Sequence, residues 1–189
     1  RDWSSDVCSS DLLLDLPEPD LSDARLRMAG TSFVLVEWPR LTIPPGTERV
    51  LAWIREQGWR PVVAHPERYS GIGRQLDVAL RWRDAGAYLQ VNFGSLVGRY
   101  GAEARTAAWK LLQMGLVSYL ASDFHGRRRL EIHWAEASGA LEDRGAIDLL
   151  DALTRINPAL LLQDRDPVPA PLLASGPPLL DRSEEHTSE

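Results

Sequence analysis

Cysteine is almost absent from this chain. Cys8 is the only one in 189 residues, which leaves no pair for an internal disulfide and no thiolate cluster for a structural metal. No apolar run approaches the roughly 18 residues that cross a bilayer as a helix. Neither sign of charge dominates: 21 Lys and Arg stand against 27 Asp and Glu, a formal balance of −6. That balance gives no electrostatic case for nucleic acid or for a membrane surface as partner.

The two ends share a feature that no natural protein needs. Arg182-Ser183-Glu184-Glu185-His186-Thr187-Ser188-Glu189 back-translates to AGATCGGAAGAGCACACGTCTGAA, and one frame of the reverse complement reads as the string from Ser5 to Leu12. Opposite strands of one oligonucleotide at the two ends match a sequencing-library adapter, whose continuation also accounts for Asp2-Trp3-Ser4. Residues 1–12 and 182–189 are therefore expected to be adapter translation, outside fold reasoning. Leaving them out removes Cys8, His186, two arginines and six carboxylates, so the remainder has no cysteine and a formal balance of −2. About 170 residues remain, enough for one domain with a core. That domain is expected over 13–163. A proline-rich tail follows over 164–181, and Asp164–Pro178 is expected to be poorly ordered.

Within the domain a strand–helix phrase repeats. Phe33-Val34-Leu35-Val36 reads as a buried strand ending at Glu37. Thr47 reads as an N-cap with a glutamate in the first turn behind it. Val50, Leu51 and Ile54 then fall at helical spacing, and Gly58 stops the helix before the strand that leads to His65. Leu76, Leu80 and Trp82 mark the next helix, stopped by Gly86 before the strand Tyr88–Val91 that reaches Asn92. Ala107, Leu111, Leu112 and Met114 mark a third, stopped by Gly115 before the strand that reaches Asp123. Strand ends lie 28, 27 and 31 residues apart, the length of a βα crossover between parallel strands. Further helices are expected over Leu130–Leu141 and Ile147–Thr154. The fold class is α/β, parallel strands with outer helices, and a barrel is favoured because side chains from several strand ends must converge.

Glu37, His65, Asn92, Asp123 and His125 all stand at or just past the C-terminal ends of these strands, where α/β barrels and open sheets carry their chemistry. Imidazole with carboxylate oxygen is the usual ligand set of divalent metals. Asp123 and His125, two apart in extended chain, point the same way. Singly each has a plainer reading: Glu37 as a solvated loop residue, His65 as a core histidine. Arg68 suits a bidentate contact to an oxyanion such as phosphate, or else caps a helix or pairs with Glu67. Arg127-Arg128-Arg129 is either a solvated basic run or a guide for a phosphorylated substrate, and His133 reads as a helical histidine. The six tryptophans outside the ends mostly fit helix faces and read as core or interface material, with Trp38 and Tyr69 also able to shape a pocket for an aromatic ring.

Four ordered blocks then carry a resemblance. Val34-Leu35-Val36-Glu37-Trp38-Pro39, Val62-Val63-Ala64-His65-Pro66-Glu67-Arg68-Tyr69, Leu89-Gln90-Val91-Asn92 with Gly94-Ser95-Leu96-Val97-Gly98-Arg99-Tyr100-Gly101, and Ala121-Ser122-Asp123-Phe124-His125 resemble the bacterial metal-dependent tyrosine phosphatases of capsular and exopolysaccharide loci. This is the CpsB/CapC type of the polymerase-and-histidinol-phosphatase (PHP) superfamily. Asn157-Pro158-Ala159 agrees, and the resemblance covers about 29–162. It implies the C-terminal part of a distorted seven-stranded βα barrel with up to three divalent ions, manganese in many members. It implies Glu37, His65, Asp123 and His125 as metal ligands and Arg68 as a phosphate contact, with Asn92, Arg127 and Arg129 as weaker substrate contacts. The implied chemistry is in-line attack of metal-activated water on phosphorus. The implied substrate is the phosphotyrosine tail of an autokinase that controls polysaccharide export, and the implied location of the chain is the cytoplasm.

The sequence departs from that pattern twice. The family's His-x-His strand, with a further histidine and glutamate, would fall at or before the N-terminal adapter. The chain is therefore expected to bind metal poorly and to be inactive as it stands. Gly126-Arg127-Arg128-Arg129-Leu130 also stands where the family carries Arg-Pro-Pro. Two other readings remain open: a different PHP phosphoesterase, such as a histidinol-phosphate phosphatase, and a non-catalytic module that binds a kinase.

Overall fold

Alternation along each strand gives the sheet two unlike faces. Val34 and Val36 fall on one side, and Phe33, Leu35 and Glu37 on the other. The protein is seen in a computed structural model that describes residues 11–13, 21, 23–123 and 131–173. Its strands are β1 (Asp11–Leu13), β2 (Phe33–Glu37), β3 (Arg60–Ala64), β4 (Tyr88–Asn92) and β5 (Tyr119–Ala121). They form one sheet in the order β1-β2-β3-β4-β5, every neighbour parallel, with Leu35 opposite Val62, Val62 opposite Tyr88 and Gln90 opposite Tyr119. Sequential parallel order is that of a barrel wall, whereas a doubly wound sheet reverses its order at a switch point. The edge strand β1 includes Asp11 and Leu12, residues assigned above to the adapter; it pairs with Leu35–Glu37.

Helices α1 (Thr47–Glu56), α2 (Leu76–Asp84) and α4 (Ala102–Gln113) cover one face. Leu51, Ile54, Ala79, Trp82, Ala107 and Leu111 meet Val34, Val36, Val63, Leu89 and Val91 in the main core, each fully buried. Burying one such leucine or isoleucine contributes about 1.5–3 kcal/mol. A smaller cluster of Phe33, Val62, Tyr119 and Leu161 lies on the other face. Gly58, Gly86 and Gly115 end the three helices at φ of 85°, 87° and 67°, the left-handed turn that glycine adopts at least cost. Thr47 is not an N-cap: Gly46 caps α1 without a side-chain bond. The Thr47 hydroxyl is buried and accepts from Trp82 Nε1 at 2.8 Å. A short helix, α3 (Phe93–Leu96), follows β4 directly.

The C-terminal third corrects three expectations. Helix α5 runs over Trp134–Glu142, and His133 precedes it in left-handed backbone, φ 54°, rather than lying within a helix. Helix α6 (Ile147–Asp151) does not stop near Thr154; a π-helical turn (Ala152–Ile156) joins it to α7 (Asn157–Leu162). Over 164–173 the expected disordered tail is instead bonded to the domain. Asp164 accepts from the Ser32 backbone and hydroxyl and pairs with Arg60, while Asp166 pairs with Arg60 and accepts from Tyr88. Leu173 is buried as well. Among the described residues, no helix is long and apolar enough to cross a membrane.

Burial, with the bond to Asp166, pushes the Tyr88 phenol up to about 12. Because that lies above the ordinary value of about 10, its contribution is complete below pH 10 and is lost as pH rises through 12. Tyr119 is pushed up as well, chiefly by burial. Alkaline unfolding is therefore expected to steepen above pH 10. Tyr88→Phe should remove part of that slope in urea titrations run between pH 9 and 12; an unchanged slope would show that the Tyr88 bond carries none of it.

Candidate functional site

Each parallel strand delivers its last residue to the same rim of the sheet, and the turn after it decides where the next side chains point. Glu37 closes β2. His65 follows β3 in left-handed backbone at φ 32°, and Asp123 follows β5 at φ 54°. Pro66 disfavours the right-handed helical region for His65. Non-glycine residues held in this region cost energy and gather at functional sites. His65 is buried, with Nε2 3.4 Å from Glu37 Oε1. Its Nδ1 is buried with no hydrogen-bond partner among the described residues. The His65 ring also meets Tyr69 at 5.9 Å between centroids.

Arg68 and Asp123 form the second half of the rim. Arg68 Nη1 donates to Asp123 Oδ2 at 2.8 Å, and Asn92 Nδ2 donates to the same oxygen at 3.2 Å. Gln90 Nε2 in turn holds Asn92 Oδ1 at 2.8 Å. The Arg68 guanidinium lies 4.3 Å from the centre of the Tyr100 ring, a cation–π contact that fixes its plane. Both partners of the Arg68–Asp123 pair keep some exposure, 22% and 15%, so the pair faces the opening rather than the core.

Glu67 is the buried polar residue beside the site whose role the sequence reading missed. It is fully buried, and its Oε1 accepts from the Asn92 backbone N–H at 3.0 Å and from the Ser95 hydroxyl. Burial pushes its carboxyl up, against those two bonds, which pull it down. The turn Pro66–Arg68 is a single 3-10 turn, where successive side chains diverge by about a third of a revolution. Glu67 therefore points inward while Arg68 points to the rim, and the alternative of a Glu67–Arg68 pair is replaced by the Arg68–Asp123 pair. The only local signal was a carboxylate between two candidate site residues in a proline-led turn.

The structure thus brings together Glu37 with His65, and Arg68 with Asn92 and Asp123. His125, Arg127 and Arg129 lie outside the described residues. Trp38 is core, 1% exposed; Tyr69 is buried too, at 2%, yet borders the hollow beside Arg68, with its hydroxyl accepting from the Trp38 backbone N–H at 2.9 Å. Among the described residues, no three of His, Cys, Asp and Glu gather as a metal-binding group. The donors that are present nevertheless suit a divalent cation. A buried imidazole has one nitrogen unpartnered and a carboxylate oxygen beside the other, and such a set is the usual nitrogen–oxygen ligation.

Comparison with known proteins agrees with this chemistry. The family model for capsular polysaccharide synthesis, CpsB/CapC, matches residues 15–163. The tyrosine-protein phosphatase YwqE of Bacillus subtilis (strain 168) is 30% identical over 149 residues, covering 78% of this chain and 58% of that protein. CapC of Staphylococcus aureus is 32% identical over 93 residues, 49% of this chain and 36% of that one. A chain from the crystal structures of YwqE from Bacillus subtilis and CpsB from Streptococcus pneumoniae, described as metal-dependent tyrosine phosphatases, superposes with a TM-score of 0.67 at 28% identity. The superposition covers 76% of this chain and 59% of that chain. The chain therefore spans 58% or less of the length of these curated relatives.

Proposed function

The chain belongs to the CpsB/CapC family of capsular polysaccharide synthesis, and we propose from that premise that its strand ends form part of a metal-dependent phosphotyrosine phosphatase site. The observation that carries this reading is the meeting of Glu37 with His65, and of Arg68 with Asp123 and Asn92, on one rim of four successive parallel strands. Glu37, His65 and Asp123, with His125, would hold divalent ions, manganese among them. Such ions supply Lewis acidity and an acidified water to phosphoryl transfer.

The chain's own residues do the rest. Arg68 offers a planar fork that grips two phosphoryl oxygens at once, and Tyr100 keeps that fork from rotating. Asn92 holds Asp123 by one oxygen and so fixes how the carboxylate presents the other. Burial of His65 keeps water from its ring, and the Tyr69 ring packed against it limits its rotation. Arg127 and Arg129 are available to steer an anionic peptide. The substrate is a phosphorylated tyrosine in the tail of an autokinase that governs polysaccharide export, and the reaction takes place in the cytoplasm.

The test is phosphate release from a phosphotyrosine peptide with added manganese, by this chain and by a longer form that matches the full length of its curated relatives. This chain, which spans 58% or less of that length, is expected to be inactive or nearly so, and the longer form active. His65→Ala and Arg68→Ala should each lower that activity by about 10²-fold or more, the scale of a lost transition-state contact. Turnover that survives both substitutions would sink the assignment.

A further inference from the structure

A groove leads away from Arg68. Its first part, about 270 Å³, lies among Leu41, Arg68, Ser70, Tyr100, Glu103 and Ala104. Glu103 also borders a second hollow of about 360 Å³ that continues to Arg74 and Thr106. Its lining sets the apolar Tyr100 ring, Leu41 and the buried Ala104 beside Arg68 and the buried Glu67. The hollow is also lined by the exposed carboxylate of Glu103, which has no ion-pair partner among the described residues. An apolar approach ending at a carboxylate suits a side chain with an aliphatic stem and a cationic head.

We propose that this groove takes the peptide residue next to the phosphotyrosine, and that Glu103 favours lysine or arginine there. The inference rests on the reading of Arg68 as the phosphate contact and goes beyond it by naming the sequence that surrounds the phosphate. An extended peptide advances about 3.3–3.6 Å per residue, so a neighbour one or two positions from the phosphotyrosine reaches a hollow that Arg68 itself borders. An acidic residue in that place would face Glu103 as a like charge, so discrimination comes from repulsion as well as attraction.

The experiment is fluorescence anisotropy of this chain with three labelled peptides. One carries phosphotyrosine flanked by lysine, one phosphotyrosine flanked by glutamate, and one unphosphorylated tyrosine flanked by lysine. The lysine-flanked phosphopeptide is expected to bind roughly 3- to 5-fold more tightly than the glutamate-flanked one, the range of an exposed ion pair, with the gap closing as salt rises. Glu103→Gln should erase the preference and Glu103→Lys should reverse it; this side chain is exposed, so neither change threatens the fold. Equal binding of the two phosphopeptides would overturn the groove and leave the phosphotyrosine reading standing. If neither phosphopeptide bound better than the unphosphorylated control, both would fall.

Discussion

Glu67→Ala is expected to lower the unfolding free energy by about 3–5 kcal/mol. The carboxyl is buried and serves two donors, the Asn92 backbone N–H and the Ser95 hydroxyl. Alanine would leave both unsatisfied, at about 1–3 kcal/mol each, and would add a cavity. Glu67→Gln should cost far less, because an amide oxygen can still accept from both. Burial holds the Glu67 carboxyl above its ordinary value. Its contribution is therefore complete below the unfolded-state value near 4.3 and is lost as pH rises through the folded value. Glutamine has no such loss, so the variant should gain on the wild type as pH rises through the folded value. Urea unfolding at a series of pH values above the ordinary carboxyl range checks both points. An alanine variant within 1 kcal/mol of the wild type, or a glutamine variant as unstable as it, would refute the account.

Asn157→Ala is expected to cost about 2–4 kcal/mol and to release the segment beyond residue 163. Asn157 is fully buried. Its Nδ2 donates to Ser118 O at 3.0 Å and Val168 O at 3.2 Å, and its Oδ1 accepts from Val168 N at 2.9 Å. Val168 is exposed enough for water to replace what it loses, whereas Ser118 is buried just before β5. The unpaired Ser118 carbonyl therefore carries much of the cost. For a domain of this size the change corresponds to a fall in Tm of roughly 4–16 °C. Limited trypsin digestion adds a local readout: cleavage after Arg165 should quicken many-fold in the variant. If the melting temperature fell while Arg165 stayed protected, the segment would be held by Asp164 and Asp166 instead.

The parts legible in the sequence are those decided by neighbours along the chain. The strands ending at Glu37 and Asn92, and the stops at Gly58, Gly86 and Gly115, follow from apolar period and backbone freedom, and the structure places them where the periodicity does. The parts that were not legible depend on partners far away. Glu67 meets Asn92 across 25 residues, and Asn157 meets Ser118 across 39. The anchoring of 164–173 needs Arg60 and Tyr88, more than 75 positions earlier. Thr47 went wrong for the same reason: its hydroxyl had two possible uses, and Trp82, 35 residues on, took it.

The π-helical turn over Ala152–Ile156 makes residue count matter more than residue type at this point in the chain. An α-helix advances 100° per residue, and a π turn takes up one residue more than the α-helical turn it replaces. Removing one residue there would only close the turn to an α-helical one, whereas adding one would turn every later side chain by about 100°. Asn157 would lose Ser118, and Leu161 would leave the cluster with Phe33, Val62 and Tyr119. Substitutions in the same five positions leave the phase untouched. This stretch should therefore drift freely in composition at its exposed positions, Arg155 and Ile156, while gaining no residue.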